Sequence, residues 1–176
     1  MNDAAILPNT LNWRKLGWGT IAVVFAIPVI AKLTVEGMLW DSHDFAVWAG
    51  MLLVAGALGE VVLRVFGSGP AVMGGLLGIA TGFLLTWVNL AVGFIGNENN
   101  PINQAYFAML AIAFAASLMV RFRPGALVLV LISCAVGQIA IVLAAMPERP
   151  FEWVATGVFC LLWLSAAALF RKAAKA

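Results

Sequence analysis

The chain has 176 residues, 64% of them hydrophobic and only 10% charged, with a mean hydropathy of +1.03. A soluble domain is normally about half apolar and about a quarter charged, and a chain this short exposes too much surface to hide such an excess in one aqueous core, so lipid must be the solvent for most of it. The net charge of +2 is too small to suggest a nucleic-acid partner, and Cys134 and Cys160 lie inside apolar runs with neither a disulfide framework nor a metal-type spacing.

Taken in order, the chain opens on ten polar and mixed residues followed by a long apolar run with no small-residue cleavage pattern after it, which reads as a retained anchor and not a signal peptide. A transmembrane helix needs about 20 apolar residues to cross roughly 30 Å of hydrocarbon. Segments of that kind run over approximately 17–39, 45–66, 71–95, 103–120, 125–146 and 151–170. The expected fold is therefore all-α: a polytopic membrane protein forming one compact bundle of six transmembrane helices with short loops, a single domain over 1–176. Pro70, Pro101, Pro124 and Pro150 stand at or just before apolar runs, where a fixed φ helps and a missing N–H costs nothing. Asn100 is placed to cap the fourth helix and Ser68 the third. Pro28 lies inside the first segment, frees the Val24 carbonyl and is expected to bend that helix.

The ten Lys and Arg residues sort by side. Arg14, Lys15, Arg64, Arg121, Arg123, Arg171, Lys172 and Lys175 fall on one, and Arg149 and Lys32 on the other. The basic side is expected to be cytoplasmic. Both termini then face the cytoplasm of a bacterial inner membrane, and the loop within Trp87 to Asn103 faces outward. Trp13, Trp18, Trp40 and Trp153 fall near interfaces as belt anchors, whereas Trp87 and Trp163 lie deeper.

Gly74, Gly78 and Gly82 repeat at every fourth position of the third segment, a spacing that lets another backbone approach closely when lipid supplies no hydrophobic drive. Ala111 with Ala115, and Ser133 with Gly137, offer similar faces. Either the third helix is the centre of the bundle or its face is a homodimer seam.

Charged residues in a span are functional candidates by default. Lys32 with Glu36, and Glu60 with Arg64, are each spaced to meet one turn apart on a helix, as neutralised pairs near the headgroups or as something more. Glu60 lies deeper than a turn from its boundary and is the best single candidate. Glu36, Asp41, Asp44, Glu98, Glu148 and Glu152 gather on the outer side with Asn97, Asn99, Asn100 and Asn103, without any recognised cation-ligand spacing. Asn89 and Gln138 are the polar residues well within the spans and should hydrogen-bond to neighbouring helices. His43 is the only histidine and sits in a loop, which removes a bis-histidine haem, and the run Asp41-Ser42-His43-Asp44 is too local for a catalytic relay. No catalytic set, metal or cofactor is expected.

The run WVNLAVGFIGNENNPIN, preceded by Glu36, Trp40, Asp44-Phe45 and Glu60 and followed by RFRPG and WLSAAALFRKAAK, resembles an uncharacterised family of small bacterial multi-span membrane proteins. The likeness covers nearly the full length, and AVGFIGNENNPIN carries most of its specificity. Asn97 stands where the family is expected to have serine, and Lys32-Leu33 where a Met-Gln pair is usual. The resemblance implies the architecture and no mechanism. Two functions are carried forward. The first is an accessory or scaffolding membrane subunit, in contact with the lipid bilayer and with itself or a larger complex. The second is a small-solute or ion transporter using Glu60, Asn89, Gln138 and the outer carboxylates. A solid interior would favour the first and a wet polar one the second.

Overall fold

A computed structural model describes residues 13–175. Among them the regular structure is entirely helical: α1 (Trp13–Thr34), α2 (Ser42–Phe66), α3 (Pro70–Ala91), α4 (Gln104–Met119), α5 (Pro124–Ala145) and α6 (Pro150–Ala173), with a 3-10 turn over Pro101–Asn103 before α4. Six helical stretches are long and apolar enough to cross a membrane, so this is an integral membrane fold. Proline opens α3, α5, α6 and the 3-10 turn. Three expected details differ. The third helix ends at Ala91 and not at 95, ahead of the turn at Gly93 with φ +73. Ser68 caps nothing on α3, which starts after Gly69 at φ +83 with no side-chain cap. The first helix stops at Thr34 and not at 39, because Gly37 turns the chain at φ +88.

The chain divides into two units, Met1–Glu60 and Val61–Ala176. In the first, Arg14 at the start of α1 pairs with Glu60 near the end of α2, so the two helices run antiparallel. They close up at Gly56, where a Cβ would lie 2.7 Å from the Ile21 side chain and 2.9 Å from the Trp18 ring. Most of α1 is exposed, as suits a helix whose solvent is lipid. At the other end of α2, Trp40 meets Phe45 and Trp48 edge-on, with ring centroids 5.3 and 6.2 Å away.

In the second unit α3, α4, α5 and α6 share one core containing Leu85, Tyr106, Leu131, Val142, Phe159, Trp163 and Phe170. The glycine face of α3 points into it. A Cβ on Gly74 would lie 3.1 Å from the Ala166 carbonyl of α6; one on Gly78 would lie 3.6 Å from Leu131 of α5, and one on Gly82 3.5 Å from Leu110 of α4. Gly137 plays the same part on α5, where a Cβ would sit 3.0 Å from the Met109 sulfur. Small residues let these backbones approach and gain dispersion contacts that lipid cannot match. The face that could have served a dimer seam is thus occupied within the unit.

Candidate functional site

At one end of the second unit the chain leaves α3, makes a tight loop and re-enters as α4. Gly93 and Gly96 take left-handed φ values of +73 and +74. A Cβ on Gly93 would run into the Asn97 carbonyl, so only glycine fits there. Between them Phe94 and Ile95 are driven inward and are almost wholly buried. Asn103, buried at the foot of the loop, holds them: its Oδ1 accepts from the Ile95 N–H, and its Nδ2 donates to the carbonyls of Ile95 and Asn97. Asn100 caps the 3-10 turn by accepting from the Ile102 N–H. Buried non-helical backbone survives where protein satisfies it, and Asn103 does so for Ile95.

The α5–α6 connection meets this loop. Arg149 Nη2 donates to the Gly96 carbonyl at 2.6 Å, and Arg149 Nε lies 3.1 Å from Glu152 Oε1. The four helix ends beneath carry an unusual set of side chains. Asn89 is third from the end of α3, Tyr106 third in α4 and Glu152 third in α6; Thr156 follows one turn below Glu152, and Gln138 lies seven residues inside the end of α5. All five are buried, at 0 to 5% exposure. Each keeps a polar atom with no partner in the protein: Asn89 Oδ1, Tyr106 OH, Gln138 Nε2, Glu152 Oε2 and Thr156 Oγ1. Gln138 and Tyr106 are held by neighbouring aromatic side chains. Trp163 Nε1 donates to Gln138 Oε1 at 3.3 Å, and Phe94 from the loop lies with its ring 4.9 Å from Tyr106 and 5.6 Å from Phe159. Glu152, Thr156, Phe159 and Trp163 follow the helical repeat along the buried face of α6.

The residues singled out from sequence divide between these features. Asn89 and Gln138 belong to the buried set, although only Gln138 reaches another helix; Asn89 donates its amide to the Leu85 carbonyl of its own helix at 2.8 Å. Asn100 and Asn103 build the loop, and Glu98 is exposed on it with its carboxylate 3.2 Å from the Asn99 amide. Glu60 accepts from Arg14 Nε at 2.9 Å and from Trp18 Nε1 at 3.2 Å, partners forty or more residues away in sequence. Arg64 is exposed near the end of α2. Glu36 lies beyond the end of α1, and Lys32 donates to the Met38 carbonyl at 2.7 Å, so the one-turn pairing expected of Lys32 and Glu36 is not made. Asp44 Oδ2 accepts from the Asp41 N–H while Asp41 Oδ1 accepts from His43 and Asp44, a reciprocal cap at the start of α2. Those two amide bonds hold the Asp41 carboxyl below its usual range. One ligand atom from each of Asp41, His43 and Asp44 lies within 4.8 Å of the others, and one oxygen of each carboxylate is taken by backbone N–H groups.

Sequence reasoning passed over Tyr106 and Thr156 and grouped Glu152 with the loop acids. The one available signal was the Glu152–Thr156–Trp163 spacing, a polar stripe on an otherwise apolar helix. Profiles of known families, curated proteins and solved structures give no match to this chain.

Proposed function

We propose that the second unit takes a small polar solute among its helices from the loop end, and that the protein is a non-catalytic carrier of such a solute. The observation that supports this is the set of five buried side chains with polar atoms unmet by protein. Leaving a buried polar atom unpaired costs about 1–3 kcal/mol, so five would cost on the order of 5–15 kcal/mol, as much as the whole stability of an ordinary domain. Native interiors do not carry that load; water or a polar guest meets these atoms. From Glu152 to the Gln138–Trp163 pair the stripe descends about 16 Å at 1.5 Å per residue, roughly half of a span.

The placement of Lys and Arg orients the carrier: the asparagine loop faces outward and both termini lie in the cytoplasm of a bacterial inner membrane. The family resembled is read as sharing this architecture. The accessory-subunit reading loses the glycine face of α3, which is turned inward. What favours it is α1, whose exposed Val23, Ile27, Ile30 and Leu33 would suit a helix of a larger complex as well as they suit lipid.

Solvent access decides between the two. In proteoliposomes of a Cys134→Ala, Cys160→Ala background, Thr156→Cys is expected to react with a membrane-impermeant methanethiosulfonate added outside, at about ten times or more the rate of Leu131→Cys in the apolar core. Equal inertness of both cysteines would mean a solid interior and would remove the carrier reading.

A further inference from the structure

Building on that reading, we infer that the guest of this site is a small protonated amine. The register of α3 against α6 places the key groups. Gly74 lies against Ala166 and Phe170, and Gly82 against the Trp163 ring, so the helices run antiparallel. Two turns along α3 from Gly82 is Asn89, and two turns back along α6 from Trp163 is Thr156. A step of seven residues nearly keeps the same helix face. Asn89 and Thr156 are therefore level on facing stripes, with Glu152 one turn nearer the loop.

What these side chains offer is lopsided. Asn89 uses its amide N–H on the Leu85 carbonyl and keeps Oδ1; Glu152 uses Oε1 on Arg149 and keeps Oε2. Both remaining atoms are acceptors and cannot satisfy each other; the unmet donors of the set are the neutral hydroxyls of Thr156 and Tyr106, with one proton each, and Gln138 Nε2, which lies deeper, beside Trp163. What the set lacks is a charged donor for Glu152 Oε2, and beside a buried carboxylate a charged donor gains most. Arg149, whose side chain is 64% exposed, pairs with Oε1 of this carboxylate and leaves Oε2 unmet. The rings of Phe94, Tyr106 and Phe159 cluster at the same end, and aromatic rings attract an organic ammonium where a guest meets their faces. A primary ammonium group supplies the donors and the charge together; a neutral polyol supplies only donors.

The test is calorimetric titration of the full chain in nanodiscs with methylammonium chloride, with sodium chloride and glycerol as parallel titrants. Saturable methylammonium binding is expected. Glu152→Gln and Asn89→Leu should each weaken it by about tenfold or more, as loss of a charge-assisted hydrogen bond would, while Glu98→Gln on the exposed loop leaves it unchanged. If Glu152→Gln fails to fold, Glu152→Asp, which keeps the charge and withdraws it by one methylene, should weaken binding in its place. Undiminished binding in the folded Glu152 variant overturns the inference. Sodium binding more tightly than methylammonium overturns the amine class. Glycerol binding without methylammonium overturns the cation and leaves the polar site standing. Where no titrant binds, the amine falls, and Thr156→Cys labelling then shows whether the polar-solute reading falls with it.

Discussion

One side chain closes both backbone groups of Ile95. Asn103 Oδ1 accepts from the Ile95 N–H at 2.9 Å, and Asn103 Nδ2 donates to the Ile95 carbonyl at 3.2 Å. The amide does for this residue what a neighbouring strand does in a sheet. It allows a turn with no helical hydrogen bonds to be buried at the mouth of four apolar helices, with Phe94 set over Tyr106 and Phe159.

Asn103→Leu leaves the Ile95 N–H and carbonyl unmet and takes one of two donors from the Asn97 carbonyl, which keeps the Asn100 N–H. The expected loss is about 3 kcal/mol or more, read from unfolding in mixed detergent–SDS micelles. Exchange of the Ile95 amide should accelerate more than that of amides in the middle of α3.

Gly93 and Gly37 separate backbone strain from collision. Both have positive φ, but a Cβ on Gly37 meets open space and one on Gly93 meets the Asn97 backbone. Gly37→Ala should cost about 1 kcal/mol, the left-handed penalty alone. Gly93→Ala should cost clearly more in the same unfolding assay and should raise the exposure of Phe94.

The α3 seam gives a second contrast. Gly74→Ala brings a methyl to 3.1 Å from the Ala166 carbonyl, where backbone must move, whereas Gly78→Ala meets only the Leu131 methyl at an ordinary 3.6 Å. The first should destabilise by about 1–3 kcal/mol. The second should be neutral or stabilising, since alanine is the better helix former by about 1 kcal/mol. Light scattering in detergent should give the same oligomeric state for both variants and the parent, because this face is internal.

Asp41 makes the start of α2 sensitive to acid. Hydrogen bonds from the Asp44 and His43 amides lower its folded pKa below the ordinary 3.8. The cap is then fully effective above that value and is lost as the pH falls through the folded pKa. Hydrogen exchange over 42–46 should quicken on acidification through that window, and Asp41→Asn should flatten the response.

The sequence by itself determined that there are six spans and where most of them begin. Crossing hydrocarbon requires an unbroken apolar run of sufficient length, a one-dimensional property of the chain, and proline marks four of the starts. The importance of the AVGFIGNENNPIN loop was also legible, because paired glycines and several asparagines in so apolar a chain imply backbone that needs special φ values and side-chain partners. Which faces meet was not legible. In lipid the outside of a helix is as apolar as its inside, so periodicity loses the contrast that reveals a core-facing stripe in water. Only the tertiary structure paired Arg14 with Glu60 across 46 residues and Arg149 with Gly96 across 53. It alone brought Gly74 against Ala166 and Gly82 beside the Trp163 ring, because that depends on how each helix is rotated about its own axis.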